Sequence, residues 1–297
     1  MRTPFAIATP DTTRSNTVET VNDRHSALNA TRIARRFSPR TTGEVAEIVA
    51  LARRAGQPLA IAGGRHAMGG QQFLQDGWLL DLRELRRLRQ LDDDRGRLTA
   101  EAGIMWPDLL RGYIARRDGS RPRWGIRQKQ TGADRLTLGG AVAANIHGRV
   151  LTGAPFVQDI ESLELVDADA NILRCSRTEH PELFRHVVGG YGLFGVVTAV
   201  ELRLVPRQCV ERVVSLASID ELAELFADRI RTGHLYGDFQ FSTAAETPGF
   251  LNEGVLSCYR PVPDTGPPAT PQRRLSQRDW NRLLVLAHRE ELLEQAR

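Results

Sequence analysis

Lysine is almost absent from this chain. Lys129 is the only one, and every other member of the 40 basic residues is arginine. Aromatic residues are also scarce, at 6%. The arginines are scattered rather than grouped with aromatics on one element. The footprint of a nucleic-acid binder is therefore missing, and no nucleic-acid partner is expected. Cysteine is sparse: Cys175, Cys209 and Cys258 are odd in number, far apart and form no C-x-x-C. That argues against a disulfide framework and against a zinc site, and it fits a reducing compartment. No apolar run approaches the length of a membrane span. Residues 1–11 hold no apolar core of signal-peptide length. These absences together predict a cytoplasmic protein with no transmembrane segment.

What is present is ordinary in bulk and unusual in one respect. The 297 residues carry 41% hydrophobic and 26% charged residues and a net charge of +4, as a soluble globular protein does. The length suffices for one large domain or two ordinary ones. Glycine is abundant, at 26 residues, which points to tight turns and backbone-lined sites.

The glycines concentrate in three places. The first is Ala62-Gly63-Gly64-Arg65-His66-Ala67-Met68-Gly69-Gly70. Successive amides in such a loop form a concave anion site, since no Cβ blocks a ligand's approach. No Gly-Lys-Ser/Thr follows, so it is not a P-loop. It could equally be a turn between strands, with His66 a structural histidine. The second place is Leu138-Gly139-Gly140-Ala141-Val142-Ala143-Ala144-Asn145-Ile146-His147-Gly148, opened by Thr131-Gly132 and Thr137. Its small residues suit a short helix packed close to a ligand or a neighbouring backbone. The third is Gly190-Tyr191-Gly192-Leu193-Phe194-Gly195. It fits G-x-G-x-x-G literally, but a dinucleotide fold needs a strand before it and a helix after it. Here the order is reversed, which favours a helix-to-strand connection whose glycines permit close packing.

Between these places the chain alternates. Residues 1–27 begin with a stretch rich in Thr, Ser and Asn and read as a mobile leader. Val45, Ile48, Val49 and Ala52 recur at helical spacing, with Thr41 or Thr42 as cap and Gly56 as stop. Strands are predicted at 59–62, 78–82 and 97–103, and a helix starts at Met105. Ile160–Val166 and Ile172–Cys175 form a hairpin around Asp167–Asn171. A helix over 181–188 precedes a strong β run, Val196–Val205. Beyond Pro206 the pattern changes. A helix is expected near 219–230 and strands at 239–241 and 255–259. A loop with five prolines spans 261–271, and a helix over 279–297 is left with little chain to pack against.

No metal-ligand spacing links His66, His147 and His186. No G-x-S-x-G elbow supports hydrolase chemistry. Arg65, Arg127 and Arg149 could steer anionic groups.

The order of the three Gly-rich places resembles the FAD-binding PCMH-type (vanillyl-alcohol oxidase) flavoproteins. Residues 62–70 are similar to that family's Gly-Gly-x-His-Ser loop. Residues 138–148 are similar to its second FAD segment, ending in His-Gly. Residues 190–205 are similar to its third, a Gly-rich turn running into a Val/Ile-rich strand. The likeness covers about 28–206 and is nearest the sugar and aldonolactone oxidases. It implies an α+β fold: a two-lobed FAD-binding domain over 28–206, then a partial α+β substrate (cap) domain over 207–297. Members are usually longer, with a full cap and a segment returning to the FAD domain. The resemblance carries cofactor contacts to Ala62, Gly63, Gly64, Arg65, His66, Ala67, Met68 and Gly69 in the first segment. It carries them to Gly132, Thr137, Gly139, Gly140, Ala144, Asn145 and His147 in the second, and to Val196 and Val197 in the third. It also implies that His66 is bonded to the flavin C8-methyl. Ala67 departs from the family's common Ser, and Arg65 from its common Gly. The implied activity is hydride transfer from a carbinol carbon of a polyhydroxy substrate to the flavin, then to oxygen or another acceptor. The alternative is an FAD-binding chain without catalysis of its own. The catalytic acid or base has no candidate in the sequence.

Overall fold

The computed structural model describes residues 19–116, 121–130, 134–264 and 275–286. Three units follow one another along the chain.

The first unit holds the strands β1 (Glu19–Val21), β2 (Thr31–Ile33), β3 (Arg35–Phe37), the helix α1 (Thr42–Arg54), β4 (Leu59–Ala62) and β5 (Trp78–Asp81). The α1 helix starts where the sequence says. Thr41 accepts from the Glu44 amide at 3.1 Å, and the Glu44 carboxylate accepts from the Arg40 amide at 2.7 Å. Its buried stripe is Val45, Val49 and Ala52. The strands β3 and β4 both run parallel to β5, with β5 in the middle. Such a sheet opens its carboxyl ends to ligands. In register, Ala62 at the end of β4 neighbours Asp81 at the end of β5.

Residues 19–27 correct the expected leader. Glu19–Val21 pairs antiparallel with β2, and Val21 is buried against Ile33. Asp23 folds the following turn by accepting from the Ser26 amide and the Asn29 side chain at 2.6 and 2.8 Å. The sequence stretch lacks apolar periodicity because only one of its residues, Val21, is needed to pin it. Residues 1–18 lie outside the described residues.

The second unit begins with β6 (Leu88–Asp92), β7 (Arg97–Glu101), α2 (Trp106–Ala115) and β8 (Trp124–Gly125). It continues with α3 (Leu138–Ala143), β9 (Ile160–Val166), β10 (Ile172–Ser176), α4 (Pro181–Val187), β11 (Val196–Arg203) and β12 (Val205–Pro206). Five strands form an antiparallel sheet in the order β10-β9-β11-β7-β6. Its core gathers Leu98, Leu138, Leu163 and Val200 with Trp106 and Phe156, whose rings meet edge to face at 5.7 Å. Burying each large apolar side chain contributes about 1.5–3 kcal/mol. The α1 helix joins the two units. Val45 and Val49 pack with Leu80 and Leu82 and also with Val166 and Val196.

The third unit is β13 (Cys209–Ser218), α5 (Leu222–Arg231), β14 (Tyr236–Phe241), β15 (Glu253–Val262) and α6 (Gln277–Leu286). Its sheet has the order β13-β15-β14. The α5 helix covers one face through Leu222, Leu225 and Phe226 on Leu256 and Cys258. The other face leaves Val210, Val214 and Leu216 exposed. The ten-residue β13 strand has no counterpart in the sequence reading. No described helix is long and apolar enough to cross a membrane. The latter part of the helix expected over 279–297, from residue 287, lies outside the described residues.

Candidate functional site

A cleft runs between the first two units. Its floor is the loop that leaves β4, its opposite wall is α3, and the turn before β11 closes one end. Gly63, Thr137, Gly140, Ala143 and Tyr191 line it along most of its length. Among the described residues, no carboxylate lines this cleft, and Arg65 is the one arginine on its wall.

The three Gly-rich segments contribute different things. Among the described residues, no amide from Gly63 to Gly69 donates a hydrogen bond. Arg65 sits at φ 60, in the left-handed region. A left-handed residue between neighbours of negative φ suits the turning of successive amides toward one anion. The family's common Gly suits this backbone at no cost, whereas a side chain here costs roughly 1–2 kcal/mol.

The amides of the second segment are already used. Leu138 donates to Ile104, Gly139 to Ala102 at 2.7 Å, and Gly140 to the Thr137 hydroxyl at 3.3 Å. The structure divides the labour: the first loop offers amides, and the second offers only surface without bulk. Gly139 packs so tightly on Ala102 that an added Cβ would lie 2.9 Å from the Ala102 Cβ.

The third segment is the helix-to-strand connection expected from the reversed order of elements. Gly189, Tyr191, Gly192 and Gly195 all have positive φ. Gly189 and Tyr191 donate to the Val142 and Ala143 carbonyls at 3.0 Å each. These bonds fasten the turn to α3, and Gly192 faces Ile61 of β4. The cleft is thereby closed at that end.

His66 points into the cleft. Both ring nitrogens are buried with no hydrogen-bond partner among the described residues. The His25 ring meets it edge-on at 4.9 Å. Burial holds the imidazole below its usual pKa, the charges of His25 and Arg24 add to this, and the nearby Arg135 backbone works the other way. His66 is therefore neutral at pH 7, with a lone pair available. A buried polar side chain without a partner needs an explanation, and a bound group that meets it is one.

Beside it, the Arg65 guanidinium donates from Nη2 to Asp81 Oδ2 at 2.8 Å. Asp81 also accepts two bonds from Arg83, at 2.8 and 2.6 Å. Burial alone would raise the Asp81 pKa; the bonds from Arg83 and Arg65 outweigh it and hold the carboxyl below the usual range.

The remaining sequence candidates fall in several places. Ala67 and Ala144 line the cleft, and Ala62 is buried at the end of β4. Val197 lines the end near Gly195. Met68 is exposed and donates nothing, though its carbonyl accepts from the Asn29 side chain at 2.6 Å. Gly69 lies beside Gln71, off the cleft wall. Asn145 is turned away, accepting from the Val157 amide at 3.0 Å, and its φ of 42 ends α3. His147 is exposed, with Nδ1 against the Gly148 carbonyl. Val196 belongs to the α1 cluster rather than the wall. Gly132 lies outside the described residues. Sequence reasoning missed Ile61, Leu82, Gln71 and Gln72 on the wall. The glutamines carry no motif. Ile61 and Leu82 looked like plain core residues, which they are on their other side.

These features fit FAD. Unpaired amides in a left-handed turn suit its phosphates, bulk-free walls suit its flat ring, and an unpartnered imidazole faces the same space. Comparison with known proteins agrees. Residues 33–176 match the family described as FAD binding domain. L-Gulonolactone oxidase of Mus musculus is 27% identical over 172 residues, covering 58% of this chain and 37% of that protein. Cytokinin dehydrogenase 7 of Oryza sativa subsp. japonica is 29% identical over 264 residues, covering 84% of this chain and 45% of that protein. L-Gulonolactone oxidase of Bos taurus is 25% identical over 189 residues, covering 63% and 41%. The chain thus spans less than half the length of these curated relatives. Residues 33–176 thus match an FAD-binding domain of the PCMH type, and the cofactor is FAD.

Proposed function

We propose that the protein is a cytoplasmic oxidoreductase acting on a CH–OH group. It takes hydride from a carbinol carbon of a polyhydroxy substrate: a sugar, alditol, aldonolactone or related hydroxy acid. The electrons pass to oxygen or another acceptor. When bound, the flavin supplies the hydride-accepting atom, N5, and the chain supplies the binding and the geometry. Gly63 to Ala67 hold the phosphates, the small residues of α3 lie along the flat ring system, and His66 bonds to the C8-methyl. The third unit serves as the substrate (cap) unit. Arg149, just after α3, ties it down by pairing with Asp238 at 3.3 Å and donating to the Tyr259 hydroxyl at 3.2 Å.

The observation that carries this reading is the buried imidazole of His66, without a partner among the described residues, beside a run of unpaired amides. The name of L-gulonolactone oxidase supports a polyhydroxy lactone or sugar. The cytokinin dehydrogenases share the domain under a different substrate's name, so the domain specifies the cofactor and not the substrate.

The test is optical. Purified protein should show flavin bands, and acid-denatured protein should remain yellow. His66→Ala should release its flavin on denaturation. Aldoses, alditols, aldonolactones and 2-hydroxy acids are then screened anaerobically for bleaching. Bleaching by one class identifies the substrate. Flavin binding without bleaching by any would favour an FAD-binding chain without independent catalysis. Loss of flavin from the denatured wild type would remove the covalent role and leave the cradle.

A further inference from the structure

Arg65 sits at φ 60, a backbone angle that penalises any side chain. Its Nη2 edge is held by Asp81, whose side chain is only 3% exposed, and the Arg65 side chain itself is 12% exposed. Arg83 grips the same carboxylate from another side, so Asp81 cannot move toward the cleft. The Arg65 carbonyl accepts from the Arg24 amide at 2.8 Å, which fixes the turn from its outer side. The rest of the guanidinium is left: Nε is buried and has no partner. A buried, unpaired cationic donor is costly, and more so than a neutral one. Arg65 lines the cleft beside His66, and among the described residues no carboxylate lines that cleft.

The geometry points to Arg65 as an anion clamp for the diphosphate of the cofactor, with Asp81 as the positioning residue that aims it. A guanidinium fixed on one edge presents its remaining donors in a set direction, which suits phosphate oxygens. The amides from Gly63 to Ala67 bind the same diphosphate through partial charges; Arg65 adds a full one. This inference rests on FAD occupying the cleft as proposed above.

The test separates charge from shape. In a His66→Ala background, which prevents covalent trapping, FAD and riboflavin are titrated into apoprotein at low and high salt. Riboflavin has the ring but no phosphate. Arg65→Gly keeps the turn, because glycine adopts φ 60 freely. It should weaken FAD at least tenfold at low salt, flatten the salt dependence and leave riboflavin unchanged. Asp81→Asn should weaken FAD less and keep the salt dependence, because the charge remains but is no longer aimed. Equal FAD affinity and salt slope in Arg65→Gly would overturn the clamp. So would parallel losses for FAD and riboflavin, which would mark Arg65 as a structural residue of the loop. If the His66→Ala parent binds neither ligand while wild type also carries no flavin, the flavin site itself is refuted, and the clamp falls with it.

Discussion

A Cβ placed on Gly63 would lie 2.0 Å from Oγ1 of Thr137. The first Gly-rich loop and the cap of α3 are thus in backbone-to-side-chain contact across the cleft's narrow side. Gly64 repeats the relationship, with its added Cβ 2.5 Å from the Arg135 carbonyl. These glycines are required by the neighbouring segment as much as by any ligand.

Gly63→Ala should destabilise the protein by about 1–3 kcal/mol, the usual cost of overpacking a rigid contact. Thr137→Ala removes the clashing hydroxyl, though the Thr137 Cβ stays 3.1 Å away, so the double variant should recover part of the loss. Urea denaturation of both single variants and the double variant gives the coupling. Additive losses would mean that the two segments do not meet.

His66 carries a pH dependence. Its folded pKa lies below the unfolded value of about 6.5. Between the two, the unfolded chain binds the proton and the folded chain does not. Stability of flavin-free protein should therefore fall as pH drops below about 6.5, and level off once folded His66 is itself protonated. His66→Gln should remove this part of the slope in urea titrations at a series of pH values.

Asp81 acts in a lower window. Its carboxyl is depressed by Arg83 and Arg65. Its contribution is present above the ordinary carboxylate range, near 3.9, and is lost as pH falls through the lower folded value. Asp81→Ala should cost about 3 kcal/mol at pH 7, because two arginines lose a buried partner. Thermal denaturation at pH 7 and pH 3 should show the variant's deficit shrinking in acid.

The three cysteines should differ in reactivity. Cys175 and Cys258 are fully buried, and burial pushes the Cys175 thiol up to about 11 and raises Cys258 as well. Cys209 is partly exposed at the start of β13. A thiol reagent at pH 8 should label Cys209 in native protein and all three after unfolding.

Much of the first two units was legible in the sequence because its signals are local. The α1 helix has its cap and stripe within fifteen residues, the hairpin of β9 and β10 has Asp167–Asn171 as its turn, and Val196–Arg203 is nearly all β-branched or apolar. The β13 strand was not legible. Its exposed and half-buried residues are mixed, as in CVERVVSLAS, because only one face of its sheet is covered. Residues 19–27 were hidden for a similar reason: their order comes from Asp23 hydrogen bonds and one buried valine.

The sequence by itself determined the kind of site. Three Gly-rich segments in a fixed order, with a histidine in the first, name the cofactor because glycine placement is a local backbone requirement. Only the tertiary structure decided what each segment does. Whether an amide is free depends on which carbonyl lies opposite it, and Ala102 and Ile104 take α3 amides, while among the described residues nothing takes those of Gly63 to Gly69. Asp81 is nineteen residues from Ala62 in the chain, yet it stands next to it because β4 and β5 run parallel in that register. That neighbour is what turns Arg65 from a misplaced side chain into a charged wall of the cleft.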